Sequence, residues 1–209
     1  MKISKDLIKK IDWFLISLSV AIIALSTFYF LFQVSQKQQE SEHTESSVSD
    51  ILVQNMSFLK PFELQSEGYE LSPKLKIMEE TGKEVVFLDL LGEYESVLIY
   101  RFSETHCDLC IEQHLSILKT LEGKISQGRL VLLCSYTNEK KMKIIRQTHN
   151  LNFKIYNIKD DVGIPLEQTS NPYFFILDRD MKCWSVFSAV KENPDLTISC
   201  IQAVIEKLI

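Results

Sequence analysis

Glycine is sparse in this chain, with six residues in 209. No glycine-rich loop that cradles phosphate can be built from them, which removes the commonest nucleotide-binding signature. No segment repeats, so a solenoid or propeller is excluded. An excess of positive charge is missing as well: 23 Lys and Arg stand against 28 Asp and Glu, a net charge of −5. A phosphate backbone rewards a basic face, so nucleic acid is not an expected partner. Cysteine is neither absent nor abundant. Five is an odd count, so at least one thiol stays outside any disulfide within a monomer. The rest is ordinary: 45% apolar and 24% charged residues, in a length that holds one domain plus an appendage.

The appendage is N-terminal. Trp13 to Val34 carries no charge and hardly interrupts its apolar run. At about 1.5 Å per residue, a helix of that length crosses a hydrocarbon core of about 30 Å. Lys2, Lys5, Lys9 and Lys10 precede the run, while Lys37, Glu40, Glu42 and Glu45 follow it. The positive-inside bias then keeps residues 1–12 in the cytoplasm and exports the rest. Trp13, Phe28 and Tyr29 lie near the ends, where interfacial aromatics gather. A cleaved signal peptide is the rival reading, with Ala24 and Ser26 as the small residues of its cleavage site. The run continues through Phe28-Tyr29-Phe30-Leu31-Phe32, which favours a retained anchor over residues 13–34. No cysteine follows closely, so a lipoprotein anchor is not expected. Residues 35–50, rich in Gln, Glu and Ser, read as a flexible tether.

Beyond the tether, apolar runs alternate with helical spacing. Leu75 to Met78 and Val85 to Leu88, around Thr81-Gly82, predict a β-hairpin ahead of the main sheet. Val97 to Phe102 and Leu130 to Cys134 are continuous apolar strands, the pattern of a sheet covered on both faces. Ile111, Leu115 and Leu118 give helical spacing over Cys107 to Leu121, with Gly123 as its stop. Asn138 caps a helix ending near Asn150, and Phe153 to Tyr156 is a further strand. Tyr173 to Leu177 and Cys183 to Phe187 bracket an Asp178-Arg179-Asp180 turn, and Asp195 to Leu208 closes the chain as a helix. Ile51 to Leu59 has the spacing of a short helix packed on the domain. This order predicts an α/β sandwich with a mixed sheet, preceded by one transmembrane helix.

The chemistry concentrates where the Val97 strand ends. Cys107-Asp108-Leu109-Cys110 opens the helix that follows. A thiol at a helix N-terminus meets unpaired N–H groups and the favourable end of the dipole, both of which stabilise the thiolate. With a second cysteine one turn on, the pair is equipped for disulfide exchange. The alternative is a metal. His106, Cys107, Cys110 and His114 offer two thiolates and two imidazoles to copper or zinc. On a straight helix, however, Cys107 and His114 stand about 10 Å apart, too far to share one ion; a half-exposed surface histidine is the ordinary reading of His114.

These residues resemble the thioredoxin-like family, and most of all its membrane-anchored TlpA/ResA-like thiol–disulfide oxidoreductases. Gly82-Lys83-Glu84-Val85 is similar to the hairpin that enters the catalytic strand there. Cys107-Asp108-Leu109-Cys110 matches the redox pair, and Asn171-Pro172-Tyr173-Phe174-Phe175-Ile176-Leu177-Asp178 resembles the segment carrying a cis-proline before a strand. The resemblance implies a thioredoxin-like domain over residues 51–209, facing the periplasm of a Gram-negative bacterium from an inner-membrane anchor. It implies that Cys107 attacks, that Cys110 is buried and resolves, and that Asn171 and Pro172 shape the substrate groove. Cysteine-containing exported proteins are the implied partners, with a membrane thiol carrier of the DsbD or CcdA type as electron donor and no cofactor.

The chain also departs from that pattern. A proline usual between the cysteines is absent, and Asp108 beside the nucleophile disfavours its thiolate. A protonated His106 would act in the opposite sense. Arg101 stands where thioredoxin buries a proton-transferring acid, and Gln113 where a glutamate is common, which leaves Glu104 and Glu112 as substitutes. A non-catalytic module that binds a partner protein or a metal ion is the second reading these losses suggest. Cys134 reads as a small buried apolar residue. Cys183 and Cys200 read either as two buried thiols or as a structural disulfide.

Overall fold

The computed structural model describes residues 26–29, 57–126, 128–138, 140–189 and 193–208. The chain divides into two compact units, Met1–Ile51 and Leu52–Ile209. In the first, residues 26–29 are helical; the rest of the predicted anchor at 13–34, the tether, and most of the 51–59 segment lie outside the described residues. Among the described residues no helix is long and apolar enough to cross a membrane.

The second unit is built on one seven-stranded sheet. Its strands are β1 (Lys76–Glu79), β2 (Glu84–Val86), β3 (Ser96–Ser103), β4 (Leu130–Ser135), β5 (Lys154–Asn157), β6 (Tyr173–Asp178) and β7 (Cys183–Ser188), in spatial order β2-β1-β5-β4-β3-β6-β7. β3, β4 and β5 run parallel, and the other pairings are antiparallel. The helices are α1 over residues 57–66, α2 (Asp108–Thr120), α3 (Lys140–His149) and α4 (Pro194–Leu208).

Strand alternation divides the core. Leu98, Tyr100 and Phe102 of β3 point to one face, with Leu132 of β4, Ile111, Leu115 and Leu118 of α2, and Ile201 and Val204 of α4. Val97 and Ile99 point to the other, with Val131, Leu133, Phe175 and the loop residues Phe87, Leu90 and Leu166. Both faces are therefore dry, which is why β3 and β4 read as continuous apolar runs.

Two details differ from the sequence reading. The β1–β2 hairpin does not stand ahead of the sheet; β1 pairs with β5, Met78 opposite Asn157, and makes the hairpin one edge of it. Phe87 and Leu88 leave strand geometry for a 3-10 turn, Phe87–Leu90, because Phe87 and Leu90 are both buried and Asp89 accepts the Val86 N–H at 3.2 Å. Of the two readings the sequence left for Cys183 and Cys200, the structure has separate thiols. The sheet lies between them, with Cys183 packed in the second core and Cys200 on the α4 side.

Helix α1 runs past the predicted segment and covers the open edge at β7. Glu63 accepts the Ser188 N–H at 2.8 Å, and Glu67 accepts those of Ser185 and Val186 at 3.0 and 2.9 Å. An edge strand with unpaired N–H groups is a template for another chain. Replacing both acids with alanine is expected to cost about 1–3 kcal/mol and to promote self-association. Urea unfolding and sedimentation velocity check the two effects.

Candidate active site

The turn after β3 is built from its own hydroxyls. Ser103 and Thr105 share a hydrogen bond of 2.7 Å, Thr105 N–H donates to Ser103 Oγ at 3.3 Å, and His106 N–H returns to the Ser103 carbonyl at 3.2 Å. The chain then enters α2 with Cys107 as N-cap residue, extended at φ −63° and ψ 116°, its carbonyl accepting the Ile111 N–H at 3.1 Å. Cys107 is exposed and Cys110, one turn on, is half-buried. Between them Leu109 is 65% exposed.

The charges around the first thiol differ from the sequence expectation. His106 is half-buried, and its Nδ1 accepts the Ser103 N–H at 3.2 Å. Burial, helped by the Arg101 charge, holds its pKa down at about 4. His106 is therefore a neutral ring at pH 7 and supplies no positive charge to Cys107, which corrects its expected pull against Asp108. Asp108 itself is exposed in the first turn of α2. Glu104 is held across the mouth of the strands: the Thr137 hydroxyl donates to Oε1 and Lys141 pairs with Oε2 at 3.5 Å. The Thr137 bond, with Lys141 behind it, holds this exposed carboxyl below its usual range. Glu112 is exposed on α2.

Beneath this turn lies a charge pair that the sequence reading missed. Arg101 is 3% exposed; its Nε and Nη2 donate to Glu167 Oε1 at 2.9 and 2.6 Å, and Nη1 donates to the Phe102 carbonyl at 2.7 Å. Glu167 Oε2 accepts the N–H groups of Val162 and Gly163 at 2.7 and 3.1 Å. An arginine inside an apolar strand signals a buried partner, but that partner sits 66 residues on, in a 3-10 turn. The pair forms part of a crevice of about 540 Å³, walled by Ser103, His106, Ser135, Thr137 and Lys159. It opens at the carboxyl ends of the parallel strands, where α/β sheets bind ligands.

On the opposite face, His114 is 1% exposed, not a surface residue. Its position in the Ile111, Leu115, Leu118 stripe was the available signal. Nδ1 lies 2.9 Å from the Tyr100 hydroxyl, and Nε2 has no hydrogen-bond partner among the described residues. Burial holds this imidazole neutral, with a pKa of about 4. His106 lines the crevice and His114 the helical core, so the two imidazoles are not brought to one ion. Among the described residues no group of three or more His, Cys, Asp or Glu side chains could hold a metal.

Pro172 is buried one position beyond the Arg101–Tyr173 register pair, at the same edge of the sheet as the cysteine turn. Its peptide bond is trans, as is every described bond, which corrects the expected cis-proline. Ser170, which ends the preceding 3-10 turn, is left-handed at φ 55°, and the Pro172 carbonyl accepts the Ala189 N–H at 3.0 Å. Asn171 is half-buried and donates to the Thr169 carbonyl at 3.2 Å.

No protein-family model matches the sequence, and no curated protein does. Among solved structures, the chain is similar to a protein of Aquifex aeolicus VF5 assigned to electron transfer, at 13% identity over 65% of this chain and 92% of that one, with a TM-score of 0.50. It is also similar to the peroxidoxin BcpB of Mycobacterium tuberculosis, at 14% identity over 67% and 98%, TM-score 0.48. A third is the thioredoxin domain of a thiol-disulfide oxidoreductase of Bacteroides vulgatus, at 18% identity over 63% and 96%, TM-score 0.44. At these identities the likeness speaks to architecture alone: the described residues of the second unit adopt a thioredoxin-like fold, a mixed α/β sandwich with Cys107 and Cys110 at the head of α2.

Proposed function

We propose that this chain is a thiol–disulfide oxidoreductase, held at the bacterial inner membrane by residues 13–34 and working reductively on cysteine-containing exported proteins in the periplasm. The observation that carries the reading is the exposed Cys107 at the N-cap of α2, with Cys110 one turn behind it, beside a crevice at the carboxyl edge of the sheet. The Cys107 thiolate attacks a substrate disulfide, breaking that S–S bond and releasing one substrate thiol. The Cys110 thiolate then attacks the Cys107 sulfur and releases the second. The substrate gains two electrons and the protein becomes the disulfide. Two electrons from a membrane thiol carrier of the DsbD or CcdA type restore the dithiol. Exposed Leu109 offers an apolar contact to the docked peptide, and Asn171 and Pro172 border it.

Electrostatics supports the reductive direction. Strong oxidants stabilise their reduced, thiolate form. Here the helix N-terminus favours the thiolate, Asp108 opposes it, and His106 is neutral. A reduction potential near about −250 mV or lower is therefore expected from thiol labelling in redox buffers, against about −120 mV for an oxidant. Cys107→Ser is expected to abolish disulfide reduction. Cys110→Ser is expected to accumulate mixed disulfides through Cys107. If both variants still bind a partner protein and no joint titration of the two thiols is found, the chain is a binding module instead.

A further inference from the structure

Cys110 must lose its proton before it can resolve a mixed disulfide, and the usual buried acid is replaced by Arg101, which is bonded to Glu167. The other face of α2 carries a different device. Residues four apart on a helix stack, and each side chain leans back over the turn before it. His114 therefore leans toward the turn that carries Cys110. Its ring is fixed by Tyr100, which also stacks on Phe102 and Phe174 with centroids 5.0 and 4.5 Å away. Tyr100 has a proton to place, and the structure gives it one acceptor, Nδ1. That leaves the ring proton on Nε2, a buried donor with no partner among the described residues. Leaving such a group unpaired carries the cost of its lost hydration, so its retention calls for an acceptor that comes and goes.

We propose that His114, held by Tyr100, is a positioning residue for the second thiol: its Nε2–H donates to the Cys110 thiolate as that thiolate forms. The inference rests on the redox reading above. The proton of Cys110 leaves to solvent, and His114 gives a hydrogen bond without itself being ionised. The titratable groups around this face, among the described residues, are Tyr100 from β3, Glu104 after it, Cys134 from β4, Tyr136 with Lys141 over its ring, and Asp108 and Cys110 from α2. Cys110 lies on α2 four residues before His114, one turn back on the same helix face. Tyr100 and Tyr136 stay protonated through neutral pH, and burial pushes Cys134 up to about 12.

The test uses the full-length chain in detergent, in a Cys200→Ser background, reduced and mixed with an aromatic disulfide whose leaving thiol absorbs. Attack by Cys107 gives a first phase of thiol release; attack by Cys110 gives a second. In His114→Phe the first phase should be unchanged. The pH midpoint of the second phase should rise by about one unit. Its rate at pH 7 should fall about threefold, because the lost thiolate fraction is partly offset by greater nucleophilicity. His114→Gln, which keeps a donor, should recover part of the shift. Should His114→Phe fail to fold, Tyr100→Phe reads the same device through a smaller shift in the same direction. A second phase identical to wild type in a folded variant overturns the inference and leaves the redox reading standing. No second phase in the wild type overturns both.

Discussion

Acidification from pH 7 to pH 4 is expected to remove about 3 kcal/mol of stability through His114 alone, and a further amount on the order of 1 kcal/mol through the more open His106. Both rings have folded-state pKa values near 4, held there chiefly by burial. In the unfolded chain they return to about 6.5. Between those values the unfolded state binds more protons, so stability rises with pH. The contribution is complete above about 6.5 and is lost as pH falls through 4. Urea unfolding at pH 7, 5.5 and 4.5 measures it. His114→Phe should flatten most of the slope, while His106→Gln should flatten less. Equal stability at pH 7 and 4.5 in the wild type would mean that water reaches both rings and that His114 is not the dry donor proposed for Cys110.

Thus one buried face of α2 sets both acid sensitivity and the environment of the second thiol. How far that face could be read from the sequence depends on the range of its contacts. The strands around Tyr100 and Leu132 declared themselves as apolar runs because both sheet faces are covered, and α2 by its apolar spacing. His114 falls within that same spacing, yet a polar residue in an apolar stripe reads equally well as exposed until a partner such as Tyr100 is known. The edge cover at β7 was hidden for another reason. Glu63 and Glu67 bond backbone N–H groups more than a hundred residues away, and backbone donors leave no mark in sequence. The trans bond at Pro172 was not legible either: the resemblance suggested cis, and the residues around an X–Pro bond do not mark its isomer.

Replacing Glu167 with alanine is expected to destabilise the fold by about 3–5 kcal/mol, the largest loss foreseen for one side chain here. Arg101 is 3% exposed and places two of its nitrogens on Glu167. Without that carboxylate a full positive charge stays in the second core, and the Val162 and Gly163 N–H groups lose their acceptor as well. Glu167→Gln keeps an oxygen for those donors but not the charge, so its cost should fall between the two. Removing both charges, as Arg101→Leu with Glu167→Gln, should recover much of the loss, because the penalty belongs to the stranded ion more than to the missing attraction. Thermal and urea unfolding of the wild type, Arg101→Leu, Glu167→Gln and the double variant give the cycle, with Glu167→Ala measured beside them. A loss under about 1 kcal/mol for Glu167→Ala would place water against Arg101 through the crevice, and that crevice would then be wetter at its floor than its burial implies. The outcome also bears on His106. Burial, with the Arg101 charge behind it, holds the His106 pKa down, so in Arg101→Leu that pKa should rise while burial still keeps the ring below its ordinary value.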